Sequence, residues 1–143
     1  MIVADLMTRS VITVPPETPV LDARQEMLKR KLRHLPVIGP DRELLGIVTD
    51  RDIRLSLPSQ ATSLSVWELN YLLTKLTVEQ VMTRTVITVG PERPAADAAR
   101  LMLDQKIGAL PVMDTGRLVG IVTETDLLRA FVRMAAPELA RRP

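Results

Sequence analysis

The sequence has no cysteine, which excludes disulfides, a thiolate nucleophile and thiolate metal ligation. Its one histidine, His34, has no second histidine with which to share a metal, and no Ser or Cys is arranged beside it as a catalytic partner. Aromatic residues are almost missing: Trp67, Tyr71 and Phe131 are all there are. The core must therefore be aliphatic, and there is little material for stacking successive nucleic-acid bases. No apolar run approaches the length of a membrane span. The opening Met1-Ile2-Val3-Ala4-Asp5 also has neither the basic nor the apolar region of a secretory leader. A soluble, cytoplasmic protein is expected. An excess of one charge is absent too: the net charge is +2 although the pI is about 9.4. Without a basic stripe beyond the short Arg141-Arg142 tail, nucleic-acid binding gains little support. Walker loops, Gly-x-Gly-x-x-Gly, paired metal ligands and nucleophile–base sets are all missing. No catalytic residue and no metal ligand is assigned, and no enzymatic activity is expected.

What remains is globular, with 46% hydrophobic and 25% charged residues in 143, enough for one ordinary domain or two small ones. The chain is also written twice. Met7-Thr8-Arg9 and Val11-Ile12-Thr13-Val14 recur 75 residues later (82 − 7) as Met82-Thr83-Arg84 and Val86-Ile87-Thr88-Val89. The same offset carries Pro16-Glu17 to Pro91-Glu92 and Leu35-Pro36-Val37 to Leu110-Pro111-Val112. At Gly46 and Gly120 it has become 74 (120 − 46), so one residue is lost between Pro40 and Gly116, where a hairpin loop tolerates it. The unit of reasoning is one repeat.

Each repeat contains Gly-Ile-Val-Thr followed by an acid three residues after the Thr: Gly46-Ile47-Val48-Thr49 with Asp52, and Gly120-Ile121-Val122-Thr123 with Asp126. This reads as a buried strand running straight into a helix N-terminus. Such a junction aims backbone N–H groups and a positive dipole end at one spot, which suits a phosphate or sugar hydroxyl. Thr-x-x-Asp is equally a capping box, with Thr and acid closing the first turn on each other. Both readings stand at this point.

The other signals run in a constant order. Val11–Val14 reads as a strand, and Thr18-Pro19 as a helix start with a capping residue and Pro at the first helical position. Val20, Ala23 and Met27, flanked by Leu21, Leu28 and Leu32, give the helix an apolar face as far as about Leu32. Leu35–Ile38 and Leu44–Thr49 read as strands around a turn at Gly39–Glu43, and Asp50–Leu57 as a helix. The expected fold class is α+β: two β-α-β-β-α repeats, each with a parallel crossover and a hairpin, covering each other with pseudo-twofold symmetry. The boundaries expected are 1–57 for the first repeat, 58–76 for a linker loop and helix, 77–136 for the second, and 137–143 for a tail. In the linker, Ser65-Val66-Trp67-Glu68 fits a capping box that opens a helix bearing Leu69, Tyr71, Leu72, Leu73 and Leu76. Trp67 and Tyr71 share a face and are expected to pack on the repeats or on a second subunit. Thr77-Val78-Glu79-Gln80 is a further capping box, and a final helix runs through Phe131 and Met134 until Pro137.

The Met-Thr lead-in, strand, helix, Leu-Pro-Val and Gly-Ile-Val-Thr-x-x-Asp together resemble a cystathionine β-synthase (CBS) domain, and the tandem resembles a Bateman module. Arg33-His34-Leu35-Pro36, Thr49-Asp50-Arg51-Asp52 and Asp126 to Val132 are most similar to bacterial CBS proteins of the acetoin-utilisation type. The resemblance implies a regulatory module without an obligatory cofactor. It would bind AMP, ADP, ATP or S-adenosylmethionine in the clefts between repeats. On that basis Thr49 and Asp52, and Thr123 and Asp126, match the residues that meet phosphate and ribose. Ile47 and Ile121 match those against adenine, and Ile12 and Ile87 the strand residues contributed by the opposite repeat. Arg33 and His34 stand where phosphate-holding relatives carry basic residues, but Gly108 and Ala109 stand there in the second repeat. The Asp52 site is therefore expected to be the better nucleotide pocket. A homodimer is expected through the first helix of each repeat and the Trp67/Tyr71 helix. A regulated partner protein is left unnamed, and the alternative function is a structural or nucleic-acid-binding adaptor.

Overall fold

A computed structural model describes residues 1–57 and 64–136. In chain order the elements are α1 (Val3–Leu6), α2 (Val20–Arg30), β1 (His34–Ile38), β2 (Leu44–Thr49), α3 (Asp50–Ser56) and α4 (Val66–Lys75). They continue with α5 (Val78–Val81), α6 (Ala95–Gln105), β3 (Ala109–Asp114), β4 (Arg117–Thr123) and α7 (Glu124–Ala135). β1 pairs antiparallel with β2, and β3 with β4, so the fold is α+β. The expected linker loop falls, apart from Leu64, outside the described residues, and so does the expected tail.

The chain forms two compact units that cut across the sequence repeats. One is Ile12–Val86, called here the Asp52 unit; the other joins Met1–Val11 to the chain from Ile87 onward and is called the Asp126 unit. Each unit thus contains the lead-in of the other repeat. In the Asp52 unit, Val78 and Met82 enter a cluster with Val14, Val20, Ala23, Met27, Leu35, Val37, Val48 and Ile53. In the Asp126 unit, Val3 joins Val89, Ala98, Met102, Leu110, Val112 and Val122. Both clusters are wholly aliphatic, as the shortage of aromatics requires, and α2 and α6 bury equivalent residues in them.

The strand expected over Val11–Val14 is not a strand but a single parallel bridge from Val14 to Val37; Val89 bridges to Val112 in the same way. Prolines set that limit. The Val14 N–H donates to Pro36 O (3.1 Å), and the Ile38 N–H donates to Val14 O (3.1 Å). Continuing the ladder would need N–H groups from Pro36 on one side and Pro16 on the other, and neither has one. Pro111 and Pro91 stop the second copy likewise.

Helix ends also differ from expectation. Pro19, not Thr18, occupies the cap position of α2, because the Thr18 hydroxyl turns back to donate to Pro15 O. α2 stops at Arg30, short of Leu32, where Lys31 takes a left-handed conformation (φ 56°) and the Leu32 N–H reaches Met27 O. Lys106 (φ 54°) and Ile107 repeat this closure after α6. At α4 only half of the expected capping box forms: Ser65 Oγ accepts from the Glu68 N–H, without the return bond. α4 buries no residue completely; Leu69, Leu73 and Leu76 are half-buried while Trp67 and Tyr71 are exposed.

Candidate functional site

The core face of the β1–β2 hairpin presents Leu35, Val37 and Val48, all fully buried. Strand alternation then puts His34, Pro36, Ile47 and Thr49 on the opposite face, where His34 is opposite Thr49 and Pro36 opposite Ile47. β2 passes into α3 without a loop, because the Asp50 N–H is taken by Arg33 O (3.1 Å). The same hairpin face in the Asp126 unit carries Ala109, Pro111, Ile121 and Thr123, and the Glu124 N–H donates to Gly108 O (3.0 Å).

At each junction the capping box forms. The Thr49 N–H donates to Asp52 Oδ2 (2.9 Å), and the Asp52 N–H returns to Thr49 Oγ1 (3.1 Å). The Thr123 N–H donates to Asp126 Oδ2 (2.8 Å), and the Asp126 N–H reaches Thr123 Oγ1 (3.4 Å). Capping does not exhaust these groups. Among the described residues no hydrogen bond reaches Oδ1 of either aspartate, and both side chains are only half-buried. One carboxylate oxygen closes the helix, and the other keeps its acceptor capacity.

The two junctions then diverge. The Thr123 hydroxyl also donates to Asp126 Oδ2 (3.0 Å), whereas among the described residues the Thr49 hydroxyl accepts from the Asp52 N–H and makes no such donation. Arg33 is exposed and His34 half-buried beside the first junction; Gly108 and Ala109 bring no charge to the second. Of the sequence candidates, the structure brings Ile47, Thr49, Asp52, His34 and Arg33 to one hairpin end. Ile121, Thr123 and Asp126 meet at the other. Ile12 is packed against the Asp52-unit core and Ile87 against the Asp126-unit core, each beside its own repeat. No group of three or more metal-ligating side chains occurs among the described residues, and no helix there is long and apolar enough to cross a membrane.

One part of the site was missed in the sequence: the role of the Met-Thr lead-ins. Thr83 pairs with Ile47 by two backbone bonds (Thr83 N–H to Ile47 O, 2.9 Å; Ile47 N–H to Thr83 O, 3.0 Å), and Thr8 pairs with Ile121 in the same manner. The outer edge of each ligand-candidate strand is thereby closed by the other repeat. Gly46 and Gly120 make room for it: a methyl group there would lie 2.8 Å from Thr83 O and 3.1 Å from Thr8 O. A glycine inside a β-branched run was the available signal, since it marks close backbone approach.

The CBS domain family profile matches residues 3–59 and 78–133. A CBS domain-containing protein of Dictyostelium discoideum is 33% identical over 95% of this chain and 94% of its own length. A homoserine O-acetyltransferase of Methanohalobium evestigatum is 31% identical over 89% of the chain, which spans only 23% of that enzyme. Among solved structures, a Vibrio cholerae protein assigned to acetoin utilization superposes with a TM-score of 0.82 at 29% identity, covering 100% of this chain and 98% of its own. The Arabidopsis thaliana CBS-pair protein CBSX2, solved with AMP, gives 0.79 at 35% identity over 93% and 97%. A CBS domain pair solved with 5′-methylthioadenosine and S-adenosyl-L-methionine gives 0.76 at 30% over 92% and 95%.

Proposed function

This chain belongs to the CBS domain family as a tandem pair, and from that premise we propose that it is a regulatory module binding an adenosine-containing ligand at its Thr-x-x-Asp junctions. AMP, ADP, ATP and S-adenosylmethionine are the candidate ligands; the similar pairs solved with AMP and with S-adenosylmethionine support the class. The observation that carries the reading is the split use of each aspartate, with Oδ2 capping the helix and Oδ1 open to a ribose hydroxyl. Thr49 donates to phosphate, Arg33 and His34 attract it, and Ile47 supports the adenine ring. Ile121, Thr123 and Asp126 form the weaker site, and Ile12 and Ile87 are assigned to the adenine by resemblance. The module works in the cytoplasm as a homodimer, and ligand shifts the equilibrium between its packings.

Asp52→Asn separates the two jobs of the carboxylate. The carboxamide keeps an acceptor for the Thr49 N–H, but its NH₂ cannot accept a ribose hydroxyl. Titration calorimetry with AMP should show a loss of about 1.5–3 kcal/mol in binding, the range for a hydrogen bond to a charged group. Denaturant melts should barely move. Asp52→Ala should lose the affinity and also about 0.5–2 kcal/mol of stability, as a missing cap does. Wild-type AMP affinity in Asp52→Asn would refute the proposal.

A further inference from the structure

Residues 1–8 lie in the Asp126 unit as a bound peptide would. The Val3 N–H donates to Arg93 O (2.8 Å), the Ala4 N–H to Pro91 O (2.8 Å), and the Ala95 N–H to Met1 O (3.0 Å). Thr8 then exchanges two bonds with Ile121, Val3 is fully buried, and Met7 fills the space that Gly120 leaves. Residues 76–83 sit on the Asp52 unit in a matching way. The Val78 N–H donates to Thr18 O (2.9 Å), the Glu79 N–H to Pro16 O (3.1 Å), and the Val20 N–H to Leu76 O (2.8 Å). Val78 is fully buried, and Met82 lies against Gly46. Even the first turn is closed alike, by the Ile2 N–H on Asp5 Oδ2 and the Thr77 N–H on Gln80 Oε1. Two grooves thus read one pattern, a buried Val and, four residues on, Met-Thr, held largely through the backbone.

The arms differ in how they are tied. Residues 77–86 follow α4, which packs on α2 of the very unit that receives them. Residues 1–11 reach their groove's unit along the chain only through the whole of Ile12–Val86. Lifting them out breaks no covalent tie to the groove, and the same segment of another copy would restore every bond. An exchange that conserves its contacts costs little, and is decided by concentration and by strain at the connection. We infer that the groove formed by Pro91–Ala95, Gly120 and Ile121 is an exchangeable docking site, whose alternative occupant is the N-terminal arm of a second copy of this chain.

Cysteine trapping tests this, because the natural chain has no thiol. Ile2 faces Pro94 as a non-hydrogen-bonded antiparallel pair, and Thr77 faces Pro19 identically. Cα atoms in such pairs are about 4.5 Å apart, within disulfide reach. Full-length Ile2→Cys and Pro94→Cys chains are mixed, incubated at high concentration and oxidised. The expected product is a mixed covalent dimer in excess over like-with-like dimers, while a Thr77→Cys and Pro19→Cys mixture gives none in excess. Absence of the mixed dimer, although Ile2→Cys/Pro94→Cys in one chain closes internally, overturns the inference. If the double variant does not close, a fluorescein-labelled peptide of residues 1–11 titrated into the wild-type chain decides. Binding weakened at least about tenfold by Val3→Asp supports exchange, because the substitution buries a charge. Equal binding of both peptides, or none, overturns it.

Discussion

Before the buried Leu-Pro-Val of the Asp52 unit come Arg33 and His34; before that of the Asp126 unit come Gly108 and Ala109. The backbone takes no notice of the difference. In both units the residue two before Leu gives its carbonyl to the first helical N–H of the next helix. In both, a proline flanks the one-residue parallel bridge, and a glycine admits the exchanged lead-in. What the repeats preserve is therefore the list of residues with no freedom: prolines that end ladders and glycines that a Cβ would ruin. What they let drift is the chemistry facing the junction. Two like frames can then hold unlike sites.

The largest effect should come from testing how alike the frames are. Gly46→Ala sets a methyl group 2.8 Å from the Thr83 carbonyl oxygen, which cannot retreat without losing the Ile47 pairing. Gly120→Ala leaves 3.1 Å to Thr8 O, and its tightest neighbour, Met7 Sδ at 2.5 Å, ends a flexible side chain that can swing aside. Overpacking typically costs about 1–3 kcal/mol. Gly46→Ala should fall near the top of that range and Gly120→Ala near the bottom, as read by urea melts followed by circular dichroism. Adding Met82→Ala should not rescue Gly46→Ala, since the carbonyl is the obstacle. Equal losses would mean that the two lead-ins are held with equal slack.

That pairing also marks the boundary of what sequence could say. The period, the hairpins, the aliphatic core and the Thr-x-x-Asp junctions were all legible, because each rests on neighbours within one repeat. The exchange of lead-ins was not. Met7-Thr8 and Met82-Thr83 match each other so closely that either would satisfy either strand, and a repeat by itself does not say which one it receives. The single-residue bridges at Val14 and Val89 were hidden differently. Val11–Val14 has ideal strand composition, and its ladder is cut by prolines on both chains, which matters only once the register is known. The two oxygens of Asp52 needed atoms: composition offers cap or ligand, whereas the structure commits Oδ2 to the cap and, among the described residues, brings no hydrogen bond to Oδ1.

A smaller effect should sharpen the comparison of the sites themselves. On the proposed site, Arg33→Ala should weaken AMP by about 1–2 kcal/mol while leaving adenosine almost unchanged, because it would remove a charge-assisted bond to phosphate. The reciprocal variant, Gly108→Arg, should raise the preference of the Asp126 junction for AMP over adenosine. Position 109 is the wrong place to try this, because Ala109 is buried and a larger side chain there would overpack. Calorimetry with AMP and adenosine on the two variants reads the ratio directly. An unchanged ratio in both would remove the residues before Leu-Pro-Val from any account of why the sites differ.

The smallest effect concerns a feature in which the units should agree. Lys31 and Lys106 close α2 and α6 in nearly the same left-handed conformation, φ 56° and ψ 44° against φ 54° and ψ 47°. In that region a Cβ crowds the backbone at a cost of roughly 1–2 kcal/mol, which glycine escapes. Glycine in turn gives back about 0.4–1 kcal/mol through a freer unfolded chain. Lys31→Gly and Lys106→Gly should thus each stabilise the protein by less than about 1 kcal/mol. Neither lysine takes part in the Arg30–Glu26 or the Arg84–Glu79 salt bridge. The two gains should be equal and should add, since the two exposed positions belong to different units. Melts of the single and double variants check this. A gain at one lysine alone would show that the frames differ in strain as well as in the residues they carry.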